Sequence, residues 1–141
     1  MPKPIRIAID PGGSTGVSVR LDDGDFMTAT FSDYGEGHGF EFYKFLRGNV
    51  KDKDQIVICE RFYGGGRIGQ PGESTLQLIG AIKMFCFLAQ VDLIMRTPQS
   101  RLSFITPSRK ELQKKRLPFT EHEMDSHAHL LSYEYELAHK K

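Results

Sequence analysis

Two short β-branched runs, each closed by a carboxylate, constrain this chain more than any other feature. Ile5-Arg6-Ile7-Ala8-Ile9-Asp10 is one, and Gln55-Ile56-Val57-Ile58-Cys59-Glu60 is the other. The second is apolar on both alternating faces, the pattern of a central strand covered on both sides. After the first run, Pro11 to Gly16 is a turn rich in breakers, and Val17-Ser18-Val19-Arg20-Leu21 alternates with period two. A turn at Asp22-Asp23-Gly24-Asp25 leads to a third strand over 26–31, so the chain opens as an antiparallel meander. Phe42, Phe45 and Leu46 stand at helical spacing. A right-handed crossover through that helix lays the strand at 55–60 parallel to the first.

The second half alternates in the same manner. A helix opens at Glu73 and Ser74 and is apolar nearly all round through Ala89, which calls for burial on more than one side. Asp92 to Thr97 is a fifth strand, stopped by Pro98. Residues 99–116 carry Arg101, Arg109, Lys110, Lys114, Lys115 and Arg116 against Glu111 alone. A last helix runs from about Thr120 to Ala138, with Thr120 and Glu123 placed as a capping box. The order βββαβαβα predicts an α/β fold, a five-stranded mixed sheet with helices on both faces, in one domain spanning 1–141.

Composition narrows the function classes. With 39% hydrophobic and 26% charged residues the chain is globular rather than disordered. A net charge of +1 excludes a polycationic coat protein but leaves local nucleic-acid contacts open. Cys59 and Cys86 lie in apolar runs without CxxC or Cys/His spacing, and read as reduced core residues rather than a disulfide scaffold or zinc finger. No run of ~18 apolar residues exists, and the N-terminus has no signal-peptide core. The expectation is a cytoplasmic protein without membrane contact.

Asp10 and Glu60 end their strands. If those strands are parallel neighbours, both carboxylates emerge at the carboxyl edge of the sheet, where open α/β sheets bind ligands. Two such acids repel and raise each other's pKa, and a hard divalent cation, Mg²⁺ or Mn²⁺, resolves the repulsion. The plainer reading of each acid is a surface strand end. On the last helix His122 and Asp125 share a face at i, i+3, and His129 follows Asp125 at i+4. Asp125 reads as a further metal ligand. His127 and His139 read as residues of a solvated polar helix.

These segments resemble the RuvC-type Holliday junction resolvases of the RNase H-like superfamily. Ile-Ala-Ile-Asp-Pro-Gly-Gly-Ser-Thr-Gly (7–16) looks like their first motif, and Val-Ile-Cys-Glu (57–60) like the strand carrying their second acid. Residues 73–81 are similar to the helix that follows it, and Thr97-Pro98-Gln99-Ser100-Arg101 resembles their strand-end proline segment. His122-Glu123-Met124-Asp125 resembles their last acidic motif, where Asp or His stands three residues before the final Asp. Two departures stand out. His127 and His129 interrupt an otherwise aliphatic run, and Leu102 stands where a lysine often lies, with Arg101 one step earlier. The short chain suits a compact, phage-type version.

The resemblance implies Mg²⁺-dependent hydrolysis of a DNA phosphodiester at a four-way or branched junction, with Mn²⁺ as a substitute. It implies two ions, with Asp10 bridging them, Glu60 on one, and Asp125 with His122 on the other. Asp10, Glu60, His122 and Asp125 are thus the implied catalytic and metal residues. Tyr63 matches an aromatic position used against unpaired bases, and Arg67 in the glycine-rich loop can meet a phosphate. Phe62 and Tyr63 can equally pack on the sheet. The stretch with Arg101, Arg109, Lys110, Lys114 and Lys115 either tracks the DNA backbone or forms a solvated face. The apolar surplus of the second helix fits a homodimer or burial under that basic segment. Three other functions share parts of the pattern. They are an RNase H-like nuclease for flaps or RNA–DNA hybrids, a sugar-kinase or actin-like ATPase (which needs two lobes where 141 residues hold one), and a non-catalytic DNA-binding module.

Overall fold

A computed structural model describes residues 1–32, 40–61 and 73–140. The strands are β1 (Pro4–Asp10), β2 (Thr15–Leu21), β3 (Phe26–Phe31), β4 (Ile56–Glu60) and β5 (Asp92–Arg96). Helix α1 (Phe40–Asn49) precedes β4, α2 (Glu73–Ala89) precedes β5, and α4 (Glu121–Ala138) closes the chain. The sheet order is β3-β2-β1-β4-β5. The first three strands form the expected antiparallel meander. The crossover lays β4 parallel to β1, and β5 parallel to β4. Among the described residues no helix is long and apolar enough to cross a membrane.

One helix escapes the sequence pattern. The basic stretch folds as a 3₁₀ turn (Pro98–Phe104) followed by α3 (Ile105–Lys114). Only Ser108 and Leu112 of α3 are buried, too few apolar positions to signal a helix. Pro107 lies in its first turn, where the amide it lacks has no intrahelical partner anyway. The observed order is therefore βββαβαβαα. The turn and α3 pack on α4. The basic segment therefore does not supply cover for α2, against that half of the expectation.

Strand periodicity divides the sheet into two unlike faces. Ile7 and Ile9, Val17 and Val19, and Val57 and Cys59 point to one face, where they form the main core with Phe42, Leu46, Ile82 and Cys86 of α1 and α2. The alternate residues meet α4. There Ala8 and Ile58 pack on Leu130. Ser18 lies opposite Ala8 on β2, and Gly16 opposite Asp10. This row of small side chains lets α4 lie close to the strands. A Cβ on Gly16 would fall 2.1 Å from the carbonyl oxygen of His122 and 2.8 Å from the amide of Glu123, inside backbone that cannot give way.

Polar contacts fix where α4 sits along the sheet. Thr120 caps it by accepting the Glu123 amide at 3.1 Å, as the capping-box spacing predicts. The Glu123 carboxylate turns instead to β3 and accepts from Thr28 and Thr30. At the other end Glu134 accepts from Arg6 at 2.8 Å and from Nε and Nη2 of Arg20 at 3.0 and 2.8 Å. Burial would raise the Glu134 carboxyl, but the hydrogen bonds and charges of Arg20 and Arg6 outweigh it and hold it below its usual value.

His127 is fully buried, which corrects the solvated reading. Its Nε2 lies 3.0 Å from Glu111 and its Nδ1 2.7 Å from the Ser18 hydroxyl. A carboxylate only accepts, so Nε2 carries the proton and Nδ1 accepts from Ser18. Burial holds this imidazole below its ordinary pKa, and it stacks on Phe26 at 4.2 Å. His139 is exposed at the end of α4, as expected.

Glu134→Gln leaves two adjacent arginines short of their counter-charge, and should cost about 1–3 kcal/mol in urea unfolding. Glu136→Gln, at the exposed Arg96 pair, should cost no more than about 1 kcal/mol. Equal costs would mean that the Glu134 bolt does not anchor α4.

Candidate active site

The site is built by register. Ile9 pairs with Cys59, so the next residues, Asp10 and Glu60, stand side by side where β1 and β4 end. Both belong to the α4 face and both are buried. Gly16 pairs with Asp10 on one side and Arg96 with Glu60 on the other. The close seat at Gly16 brings the first turns of α4 over this row. His122 Nδ1 comes to 3.7 Å from Asp10 Oδ2. Asp125 reaches the same cluster, where its charge acts on Asp10.

Three carboxylates this close cannot share one protonation state. Burial pushes the Asp10 carboxyl up to about 8, with the charges of Glu60 and Asp125 adding to it. Asp10 therefore keeps its proton near neutral pH and shares a hydrogen bond with Glu60. Burial would raise Glu60 too, but the hydrogen bond from His129 and the charge of Arg101 prevail and hold it low. Burial also raises Asp125, with Arg101 pulling the other way.

Two residues of this cluster were not placed there by sequence spacing. His129 is fully buried and its Nε2 donates to Glu60 Oε1 at 2.8 Å. Its Nδ1 has no hydrogen-bond partner among the described residues. The signal was its position one turn after Asp125. Arg101, expected on the DNA backbone, reaches from the 3₁₀ turn into the acids. Its Nη1 contacts Glu60 Oε1, and its Nε lies 3.5 Å from Asp125 Oδ1.

The remaining basic candidates lie elsewhere. Arg109, Lys110 and Lys114 are exposed on α3. Lys115 is tied to the Asp25 carboxylate and the Phe26 carbonyl, with its ammonium 4.3 Å over the Phe26 ring. Tyr63 and Arg67, with Phe62, lie outside the described residues.

The donor chemistry fits a hard divalent cation: carboxylate oxygens from Asp10, Glu60 and Asp125, with one imidazole from His122. The proton held on Asp10 marks a crowd of negative charge that such an ion would relieve. Among the described residues, however, no three His, Cys, Asp or Glu side chains are arranged as a metal cage. The Arg101 guanidinium lies between two of the three acids.

The raised acid makes stability fall with pH. Asp10 binds its proton more tightly folded than unfolded, where its value is 3.8. Its contribution is complete below that pH, is lost as pH rises, and is gone above about 8. Asp10→Asn cannot ionise. In EDTA its stability relative to wild type should rise between pH 4 and 8, by more than about 1 kcal/mol, since each tenfold change in an acid's equilibrium is about 1.4 kcal/mol. A difference independent of pH would remove the proton from Asp10.

No protein-family profile and no curated protein matches this sequence. Solved structures do. The chain is similar to a Thermus thermophilus RuvC structure with a TM-score of 0.66 at 16% identity, over 94% of this chain and 95% of that one. It is similar to T. thermophilus RuvC in complex with Holliday junction substrate with a TM-score of 0.63 at 16% identity, over 96% of this chain and 95% of that one. At such identity the likeness is one of backbone architecture, and the chain has the RNase H-like fold of the RuvC resolvases.

Proposed function

We propose that this chain is a metal-dependent endonuclease that cuts branched DNA junctions, acting as one nuclease domain in the cytoplasm of a bacterium or its phage. The convergence of Asp10, Glu60 and Asp125 on one edge of the sheet carries this reading. The fold shared with a RuvC bound to Holliday junction substrate supports it. Asp10, Glu60, Asp125 and His122 would hold two Mg²⁺ ions, or Mn²⁺ in their place. Bound there, the ions would supply an activated water and neutralise charge on the leaving oxygen.

The chain's own residues divide the remaining work. Asp10 gives up its proton as the cluster takes up positive charge. Glu60 is kept ionised and oriented by His129. The exposed Arg109, Lys110 and Lys114 lie on a helix packed against α4, and would meet DNA phosphates. Tyr63 and Arg67 would meet the junction itself, the tyrosine by stacking on an unpaired base.

Helix α2 supports a homodimer. Its core face is Thr75, Ile79, Ile82 and Cys86, while Leu76, Met84, Phe87 and Leu88 are exposed, Phe87 to 78%. A second copy of this face would bury that stripe, and a two-fold junction needs two sites.

Asp10→Asn should retain junction binding in a gel-shift assay and lose at least about 10²-fold in Mg²⁺-dependent cleavage, because removing one preorganised charge-stabilising group costs about 10²–10³-fold. Labelled four-way junction, duplex and RNA–DNA hybrid should be run side by side. Cleavage of the hybrid in preference to the junction would replace this reading with the RNase H-like one. Light scattering should give about 32 kDa, twice the 16.0 kDa chain. Phe87→Glu should give the single-chain mass, and a wild-type monomer both free and on junction would remove the dimer.

A further inference from the structure

We propose that Arg101 is the resident counter-cation of the acid cluster, an internal competitor that a divalent ion must displace before it binds. This rests on reading the cluster as a metal centre. The guanidinium contacts Glu60 Oε1 through Nη1 and approaches Asp125 Oδ1 through Nε. It therefore spans two of the three carboxylates that would ligate an ion. A Mg²⁺ ion needs direct oxygen contacts at about 2.1 Å in near-octahedral array. The Arg101 guanidinium takes up one oxygen of Glu60, stands beside one of Asp125, and puts a positive charge where the ion would sit, so the two cations compete.

The mounting of Arg101 suits a part that moves. It rides on the 3₁₀ turn, none of whose residues is buried. The Thr97 hydroxyl at the start of the turn bonds only within the turn, to Ser100 Oγ at 3.1 Å, among the described residues. The neighbouring Leu102 is 63% exposed. Besides the acids, the side chain of Arg101 holds, among the described residues, only the Pro98 carbonyl, at 3.2 Å, within the same turn. The Arg101 side chain can swing away from the acids while the turn keeps its packing on α4, where Phe104 meets the Tyr135 ring at 5.6 Å. His129 is mounted in the opposite way, fully buried on α4. It stays on Glu60 Oε1 when Arg101 leaves, so the carboxylate keeps its aim. The apparent ion affinity is then the intrinsic affinity reduced by the fraction of time Arg101 is out. Once out, its planar fork of donors stands at the rim of the site, suited to a phosphate oxygen.

The test measures Mn²⁺ binding to the full chain without DNA, by electron spin resonance of free ion. Arg101→Met should bind Mn²⁺ about tenfold tighter than wild type, a coupling in the ordinary range. Arg101→Lys keeps the charge and loses the fork, and should fall between them. Ion should raise the melting temperature of Arg101→Met more than that of wild type. In the wild type itself, the Arg101 Nε–H resonance should shift and exchange faster with solvent as Mg²⁺ is added, a readout that needs no variant to fold. Wild-type binding with equal or weaker binding by Arg101→Met, or an Arg101 resonance indifferent to Mg²⁺, would overturn the proposal and leave the metal centre standing. Binding by neither protein would overturn both.

Discussion

The repulsion between Asp10 and Glu60 is the constraint around which the α4 face is arranged. Parallel pairing of β1 and β4 forces these carboxylates together, and burial denies them water. An uncompensated pair of this kind would unfold the strand ends or protonate both acids. Neither happens, because compensating groups arrive from two elements and one acid is protonated. Arg101 comes from the turn after β5, His129 and His122 come from α4, and a proton stays on Asp10. The environments of the two acids are pushed apart, one neutral and one ionised, although they occupy equivalent positions in their strands. Such a division is a mark of functional sites.

Bringing those groups in requires α4 to lie closer to the sheet than a helix over ordinary strand residues would. The sequence does this by placing Gly16, Ser18 and Ala8 beneath it, where larger side chains would hold it off. Apolar contact on this face is split into two small clusters, Leu130 over Ala8 and Ile58, and Met124 with Phe26 and Leu112. Directional bonds take up the task. Glu134 ties the helix to β1 and β2, Glu123 ties it to β3, and His127 joins Ser18 beneath it to Glu111 beside it. Each bond fixes a position along the axis, whereas apolar packing alone would let the helix slide by a fraction of a turn. A site assembled from a helix and two strands needs that fixity.

The sheet was legible because period-two alternation is a local signal. Asp10 and Glu60 could be placed on one edge from spacing and the handedness of the crossover alone. The capping box at Thr120 located the start of α4 for the same reason. What escaped depends on partners distant in sequence. Burial of His127 makes sense only beside Ser18 and Glu111, far along the chain. Arg101 looked like one of six cations in a basic run, set apart only by its place at the end of the proline segment, one step before the position where the resembled family often has a lysine. Only the path of the turn after Pro98 carries it into the acids. Helix α3 escaped because its two buried positions, Ser108 and Leu112, include a single apolar side chain.

The two faces of the sheet also separate two demands that would otherwise conflict. On the α1 and α2 face, large aliphatic and aromatic side chains fill a continuous core that needs no polar partner. That core is the largest apolar cluster of the described residues, beside two smaller ones on the α4 face, where the acids are buried. The exposed stripe of α2, with Phe87 and Leu88, lies on this same side, across the sheet from Asp10. A second copy seated there would leave α4, the Arg101 turn and α3 uncovered. The proposed assembly through α2 and the proposed approach of DNA to the acids would therefore use opposite sides of one sheet, and neither would obstruct the other.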